Sequence, residues 1–286
     1  MINEFTKLRD WINPKNLSWI YLSRNPAAIH LLEKNLDKIH WSSLSMNSAA
    51  IHLLEKNLDK IDWTLLSMNS AAIHLLEKNP DKIHWFWLVK NPGAIHLIKK
   101  ALEQTPEKIN WSLLSENSEA IELLEKNPDK IDWWNLSSNH STKALKLLKT
   151  NQDKINWGML SINTNIEAIK LMEENQDYID WWGLTINPKA IKLLEQNQDK
   201  ILWHSLSLNS EALHLLEQNQ DKIVWWNLSQ NPAIFVYDYV KIKEYMETSG
   251  LKEEIIAAYY SPNNVSKFLQ RGDLENGFDS RWVSLS

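Results

Sequence analysis

A tryptophan returns at Trp19, Trp41, Trp63, Trp85, Trp111, Trp133, Trp157, Trp181, Trp203 and Trp225, each inside one rewritten phrase of about 22 residues. In its plainest copy the phrase runs Asn69-Ser-Ala-Ala-Ile-His-Leu-Leu-Glu-Lys-Asn-Pro-Asp-Lys-Ile-His-Trp85. Repetition at such a period marks an architecture of stacked units, each packing on its neighbours. A chain of 286 residues then needs no single spherical core, and its length counts units.

Hydrophobic spacing divides each copy into two short helices. Asn69 is placed to cap free amides at the start of the first, with Ser70 at the first helical position. Other copies put Pro26, Pro92, Pro188 or Pro232 there, which suits a turn whose N–H has no intrahelical partner. Ala72, Ile73, Leu75 and Leu76 then share a face, leaving His74, Glu77 and Lys78 outside. Asn79-Pro80 ends the helix, the asparagine read as left-handed and the proline as unable to continue the ladder. A second helix starts near the tryptophan, where Asp62 sits as a cap and Ile61 and Leu66 have the spacing of a hydrophobic staple. Asn110, Asp132, Asn156 and Asp180 repeat that cap, whereas His40, His84, Leu202 and Val224 depart from it.

Helices this short are marginal alone, so burial between units must hold them. The expected fold is all-α, an α-solenoid of about ten short helix-turn-helix repeats with a helical C-terminal cap. At roughly 8 to 10 Å per stacked helix it would be a superhelical rod about 80 to 100 Å long, with the anchor indoles buried in its seam. Residues 1–24 read as a capping, degenerate first repeat, with a helix over 8–12, and 25–231 as the array. Residues 232–272 read as a helical cap, with helices over 233–247, 251–260 and 261–272, and 273–286 as an irregular tail from which Trp282 could dock back.

Three spacings break the period. Trp85 to Trp111 spans 26 residues, and the extra four around Ala101-Leu-Glu-Gln104 add one turn to the first helix. Trp133 to Trp157 and Trp157 to Trp181 each span 24, with the surplus in His140-Ser-Thr and Thr164-Asn-Ile. Such insertions arise by drift in tolerant loops or mark a binding face.

Composition excludes several classes. With 43% apolar and 23% charged residues the chain has material for a core. A net charge of -5 disfavours nucleic acid as a partner. The absence of cysteine removes disulfides, thiolate metal sites and a cysteine nucleophile, and fits a reducing compartment. No stretch approaches the roughly 20 apolar residues that cross a bilayer, and the N-terminus lacks a signal pattern, so an intracellular protein without a membrane segment is expected. No phosphate loop, His-Glu-x-x-His, nucleophile elbow or isolated carboxylate pair is present, so the expectation is a non-enzyme with no cofactor and no metal.

The residue after the anchor varies: Phe86, Trp134, Trp182 and Trp226 in four units, but Ser42, Thr64, Ser112, Gly158 and His204 elsewhere. These aromatics either pack between units or meet a partner. His30, His52, His74 and His96 share another column, but stacked units are spaced too widely for them to share a metal ion. The same column later holds Glu122, Lys146, Lys170, Lys192 and His214, as a solvated face would. Lys143, Lys146, Lys170 and Lys192, with Lys149 and Lys189, form a more basic edge, either a solvated face or a dock for an acidic partner or a nucleic-acid phosphate.

The phrase Asn-Pro-x-Ala-Ile-x-Leu-Leu-Glu-x-Asn-x-Asp-Lys-Ile-x-Trp-x-x-Leu-Ser, as in 187–207, resembles the short Trp-anchored repeat proteins of giant nucleocytoplasmic DNA viruses. The resemblance covers 19–232, and Tyr260-Ser-Pro-Asn-Asn-Val-Ser-Lys-Phe-Leu is similar to an ending those proteins carry. It implies a viral product in the cytoplasm of an infected host cell and supplies no catalytic residues. The functional expectation is a scaffold for a host or viral protein partner. A helical repeat that binds nucleic acid, or a structural protein that self-associates through its ends, are the alternatives.

Overall fold

The computed structural model describes residues 5–250. Each anchor tryptophan opens a short helix, as at Trp19–Leu22, Trp41–Ser45 and Trp63–Leu66, through to Trp225–Gln230. Between them lie the first helices of the units, such as Ile29–Glu33, Ile51–Glu55 and Ile73–Lys78. A 3-10 turn leads into most of these, as Ser70–Ala72 does, and another follows them, as Pro80–Lys82 does. The all-α repeat solenoid expected from the period is what forms.

The innermost columns are smaller than tryptophan. Leu44, Leu66, Leu88, Leu114, Leu136, Leu160, Leu184, Leu206 and Leu228 on the second helices are wholly buried. So are Ala28, Ala50, Ala72, Ala94 and Ala120 at the starts of the first helices and Leu32, Leu54, Leu76 and Leu124 within them. Each buried leucine contributes about 1.5–3 kcal/mol of transfer free energy. The anchor indoles are half-buried and lie against this core from its edge. The lysine of the next unit's 3-10 turn covers them: Lys38 Nζ lies 4.8 Å from the centre of the Trp19 ring, Lys60 4.4 Å from Trp41 and Lys222 4.0 Å from Trp203. Where that column holds Tyr178 instead, its ring stacks on Trp157 at 5.0 Å.

The compact unit Leu8–Val236 is a closed ring, which overturns the expected rod. In each repeat the cap asparagine is buried. Its Oδ1 accepts the N–H two residues on, and its Nδ2 donates to backbone carbonyls of the preceding repeat. Asn47 Nδ2 bonds Ser23 O and Asn25 O at 3.0 Å, and Asn139 bonds Ser115 O and Asn117 O at 2.9 and 3.0 Å. Asn25, in the first repeat, bonds Ser229 O and Asn231 O of the last at 3.0 and 3.1 Å. The hydroxyl column follows the same pattern: Asp62 N donates to Ser45 Oγ at 3.0 Å, and Ser18 N to Ser229 Oγ at 2.9 Å. The helix Trp19–Leu22 therefore packs on Trp225–Gln230 as consecutive second helices do elsewhere. The rod assumed a rise per repeat. The packing here turns by a tenth of a circle per repeat with no net rise.

The repeat at the seam is assembled from two distant segments. Asn231 caps Ala233 N and the 3-10 turn Pro232–Ile234 starts it in the usual way. Its second half comes from early in the chain, where Asn13, Pro14 and buried Leu17 lead to Trp19. In place of a first helix, Thr6–Leu8 pairs with Phe235–Tyr237 as a two-stranded sheet, and Arg9 N and Nε donate to Ile234 O and Ala233 O. Neither the helix expected over 8–12 nor an unbroken helix over 233–247 forms. Both segments supply strand hydrogen bonds instead, and helix resumes at Tyr239–Thr248. The second compact unit, in which 5–7 and 237–250 are described, has contacts of its own. Asp238 N donates to Phe5 O, and the Phe5 ring meets Tyr245 at 5.0 Å. The helices expected over 251–260 and 261–272, the tail 273–286 and Trp282 lie outside the described residues.

Two local expectations also change. Asn79 is not left-handed: its φ is -131° and ψ 62°, and its Nδ2 closes the helix by donating to Leu75 O at 2.8 Å. Asn57, Asn127 and Asn197 do the same to Leu53, Leu123 and Leu193. The 26-residue spacing does lengthen a first helix, Ile95–Gln104. The 24-residue spacings replace the 3-10 entry by the helices Thr142–Thr150 and Ile166–Glu174, and their loops bond each other, Asn165 Nδ2 to His140 O at 2.8 Å.

Candidate functional site

The column after the anchor lies at the start of the second helices. Phe86, Trp134, Trp182 and Trp226 are about half exposed there, at 47%, 52%, 50% and 58%, and Ile20 shares the column at 50%. Phe86 meets Trp87 edge-on at 5.0 Å. Among the described residues, Trp134, Trp182 and Trp226 have no aromatic or cationic side chain against their rings. From Phe86 onward the bulky aromatics Trp134, Trp182 and Trp226 fall on alternate repeats, with Ser112, Gly158 and His204 between them. Closure then brings Trp226 beside Ile20 on adjacent packed helices.

Two serines of the column serve the cap of the following repeat. Ser42 Oγ donates to Asp62 Oδ2 at 2.7 Å and Ser112 Oγ to Asp132 Oδ2 at 2.6 Å. At Asp132 burial works to raise the carboxyl pKa, but the hydrogen bonds from Ser112, Asn135 and Trp134 N outweigh it and hold it below the ordinary value. At Gly158 no hydroxyl is supplied. A Cβ built there would meet Asn156 Oδ1 at 3.3 Å and Asp180 Oδ2 at 3.9 Å. Asp180 caps its own helix, accepting from Trp182 N and Gly183 N at 3.3 Å.

The lysine edge lies on the other layer, the first helices, so the structure does not join it to the aromatic column. Acidic side chains of neighbouring positions answer it. Lys143 Nζ pairs with Glu122 at 3.3 Å, and Glu167 takes Lys149 and Lys170, each at 2.8 Å. The hydrogen bonds from Lys149 and then Lys170 hold the Glu167 carboxyl down to about 2, and the Lys170 pKa is raised in return. Lys146 and Lys192 are exposed and have no ion pair among the described residues, but Glu125 and Glu173 occupy the facing column of the preceding repeat.

The histidine column has the same logic. His52, His74, His96 and His214 bond Glu33, Glu55, Glu77 and Glu195 of the preceding repeat at 2.7 to 2.9 Å. All of these are exposed pairs, so each contributes about 1 kcal/mol at most and serves to register one repeat on the next. Among the described residues no group of three or more His, Cys, Asp or Glu could hold a metal ion. No described helix is long and apolar enough to cross a membrane. Sequence reasoning missed the lysines that cover the anchor indoles; the signal was their constant place in the turn before the next tryptophan, as at Lys38, Lys60 and Lys222.

Comparison of the chain with protein-family models, with curated proteins and with solved structures returns no match.

Proposed function

We propose that this chain is a non-enzymatic repeat scaffold whose ring presents one row of exposed aromatic side chains to a protein partner, host or viral. The observation that carries this reading is the exposure of Trp134, Trp182 and Trp226 on alternate repeats, with no ring of their own chain against them among the described residues. Exposed tryptophan is a poor use of apolar surface unless something covers it, and tryptophan dominates the energetics of protein interfaces. The resemblance to giant-virus repeat proteins favours a partner in the cytoplasm of an infected cell.

The alternatives have weaker support. Binding of a nucleic acid calls for free cations tracking a backbone, whereas Lys143, Lys149 and Lys170 are engaged by carboxylates. Association through the ends of the array needs an open seam, and the contacts of Asn25 with Ser229 and Asn231 occupy it.

The test is affinity capture from infected and host lysates with the full chain and with Trp134→Ala plus Trp182→Ala, after thermal melting shows that the variant keeps its fold. Loss of specific partners from the variant supports the reading. An unchanged partner list contradicts it.

A further inference from the structure

We infer that the surface over Gly158, between Trp134 and Trp182, receives a lysine or arginine side chain from a basic segment of the partner. The inference rests on the scaffold reading above and gives that partner a chemistry. The three residues lie on consecutive second helices, Trp133–Ser137, Trp157–Ser161 and Trp181–Ile186, which pack directly on one another. The last two approach closely, since a Cβ on buried Gly183 would stand 3.2 Å from Gly158 O and 3.0 Å from Ile162 Cγ2. Trp182 is thereby set beside Gly158, a partly exposed position that carries no side chain between the two indole-bearing helices.

Three observations select a cation. First, this protein already shows what its indoles hold: Lys38, Lys60, Lys108, Lys154 and Lys222 each lie 4.0 to 5.3 Å from the ring centre of an anchor tryptophan. The outer indoles of Trp134 and Trp182 are the same chemical surface without such a lysine among the described residues. Second, Asp62 and Asp132 each receive a serine hydroxyl from the preceding repeat, but Gly158 offers none to Asp180, whose Oδ2 lies 3.9 Å from where a Cβ would be. An ammonium or guanidinium group would donate to that oxygen. Third, the positions immediately before the anchor and the two after it hold no lysine or arginine in any repeat, while Asp62, Asp132 and Asp180 stand among them. The lysines of the 3-10 turns lie over the anchor rings, so the negative charge offered by the row is local to its aspartates, and at Asp180 no side-chain hydroxyl answers it.

Tetralysine amide, titrated into the full chain by calorimetry, tests this, with fully Nε-acetylated tetralysine as the uncharged control and a short oligothymidylate as the anionic one. The expected result is binding of tetralysine alone, weakened about fivefold to tenfold by Trp134→Ala or Trp182→Ala. Gly158→Leu, which covers that surface with a side chain while improving helix propensity, removes binding, and Asp180→Asn weakens it with the cap geometry kept. Leu58→Ala, an exposed change elsewhere, leaves it unaltered. The inference is overturned if tetralysine does not bind, if the acetylated peptide binds equally, if the oligothymidylate binds more tightly, or if Gly158→Leu binds as the parent does. If tetralysine fails while Trp134→Ala plus Trp182→Ala still loses its captured partner, the cationic ligand falls and the scaffold reading stands. An unchanged capture list with Gly158-dependent tetralysine binding sinks the scaffold reading instead.

Discussion

Asn25 Nδ2 donates to the carbonyl of Asn231 at 3.1 Å across 206 positions of sequence, in the same way that Asn47 Nδ2 donates to Asn25 at 3.0 Å across 22. The seam is thus chemically one more repeat interface. An open solenoid exposes two apolar ends and needs polar capping repeats to stay soluble. Closure removes both ends, and the strand pairing of Thr6–Leu8 with Phe235–Tyr237 stands where one first helix would be.

Replacing Asn25 tests how much the amide matters. Asn25→Ala strands the carbonyls of Ser229 and Asn231 and the N–H of Ala27, and is expected to cost about 2–4 kcal/mol in urea unfolding. Asn25→Asp keeps the acceptor for Ala27 but turns an oxygen toward two carbonyls, so it should cost at least as much. Near-neutral behaviour of the aspartate variant would show that the cap alone fixes this residue.

Val89 breaks the hydroxyl column. Its counterparts Ser67 and Ser115 each donate to a tryptophan carbonyl four residues back and accept the N–H that precedes the next anchor. Val89→Thr restores both groups at nearly the same side-chain volume. It should stabilise by about 1 kcal/mol in thermal or urea melts, with Trp85 O and Asn110 N as its partners. A destabilised variant would mean that the repeat with the longer helix has lost this register.

Glu167 holds two lysines, Lys149 of the helix Thr142–Thr150 and Lys170 of its own helix Ile166–Glu174. Its folded pKa, about 2, lies below the ordinary 4.5, so its stabilisation is complete above the unfolded value and fades as pH falls toward 2. An NMR titration of the side-chain carboxyl should find its midpoint well below those of exposed glutamates. Glu167→Gln should lower the melting temperature at neutral pH, more at low salt than at high, and the difference from the parent should vanish in acid.

The cover over the anchor indoles predicts which substitutions that column accepts. Lys60→Met removes the ammonium 4.4 Å from the Trp41 ring and should cost about 0.5–1 kcal/mol. Lys60→Tyr should be better tolerated, because Tyr178 already stacks on Trp157 in the equivalent place. An unchanged melting temperature for Lys60→Met would argue that the lysine stem, not its charge, does the covering.

The helices and their caps could be read from spacing because they are local: Asp62 and Asn69 bond amides two or three residues away. Closure could not, because it depends on the rotation and rise between whole repeats, to which no single residue corresponds. Two clues were nevertheless present. Asparagine fills the cap position at Asn25, Asn47, Asn69, Asn91, Asn117, Asn139, Asn163, Asn187, Asn209 and Asn231, although serine, threonine or aspartate would cap as well. Only asparagine also brings an amide donor, and that donor is what reaches the neighbouring repeat. The array also opens on the second half of a repeat, Leu17 to Trp19, and closes on a first half, Asn231-Pro-Ala-Ile234. In the exposed column the aromatics were legible by their variability, whereas the approach of Asp180 Oδ2 to Gly158 required coordinates.

The most direct test of the ring is the separation, in solution, of the two helices that meet at its seam. The chain has no cysteine, so spin labels can be placed at Ile20→Cys and Trp226→Cys, both exposed and on those helices. A closed ring predicts strong dipolar broadening, equal to that of the consecutive pair Trp182→Cys and His204→Cys, because both pairs sit on helices about 8–10 Å apart. A broadened consecutive pair with an unbroadened Ile20 and Trp226 pair would mean an open solenoid and would contradict the account.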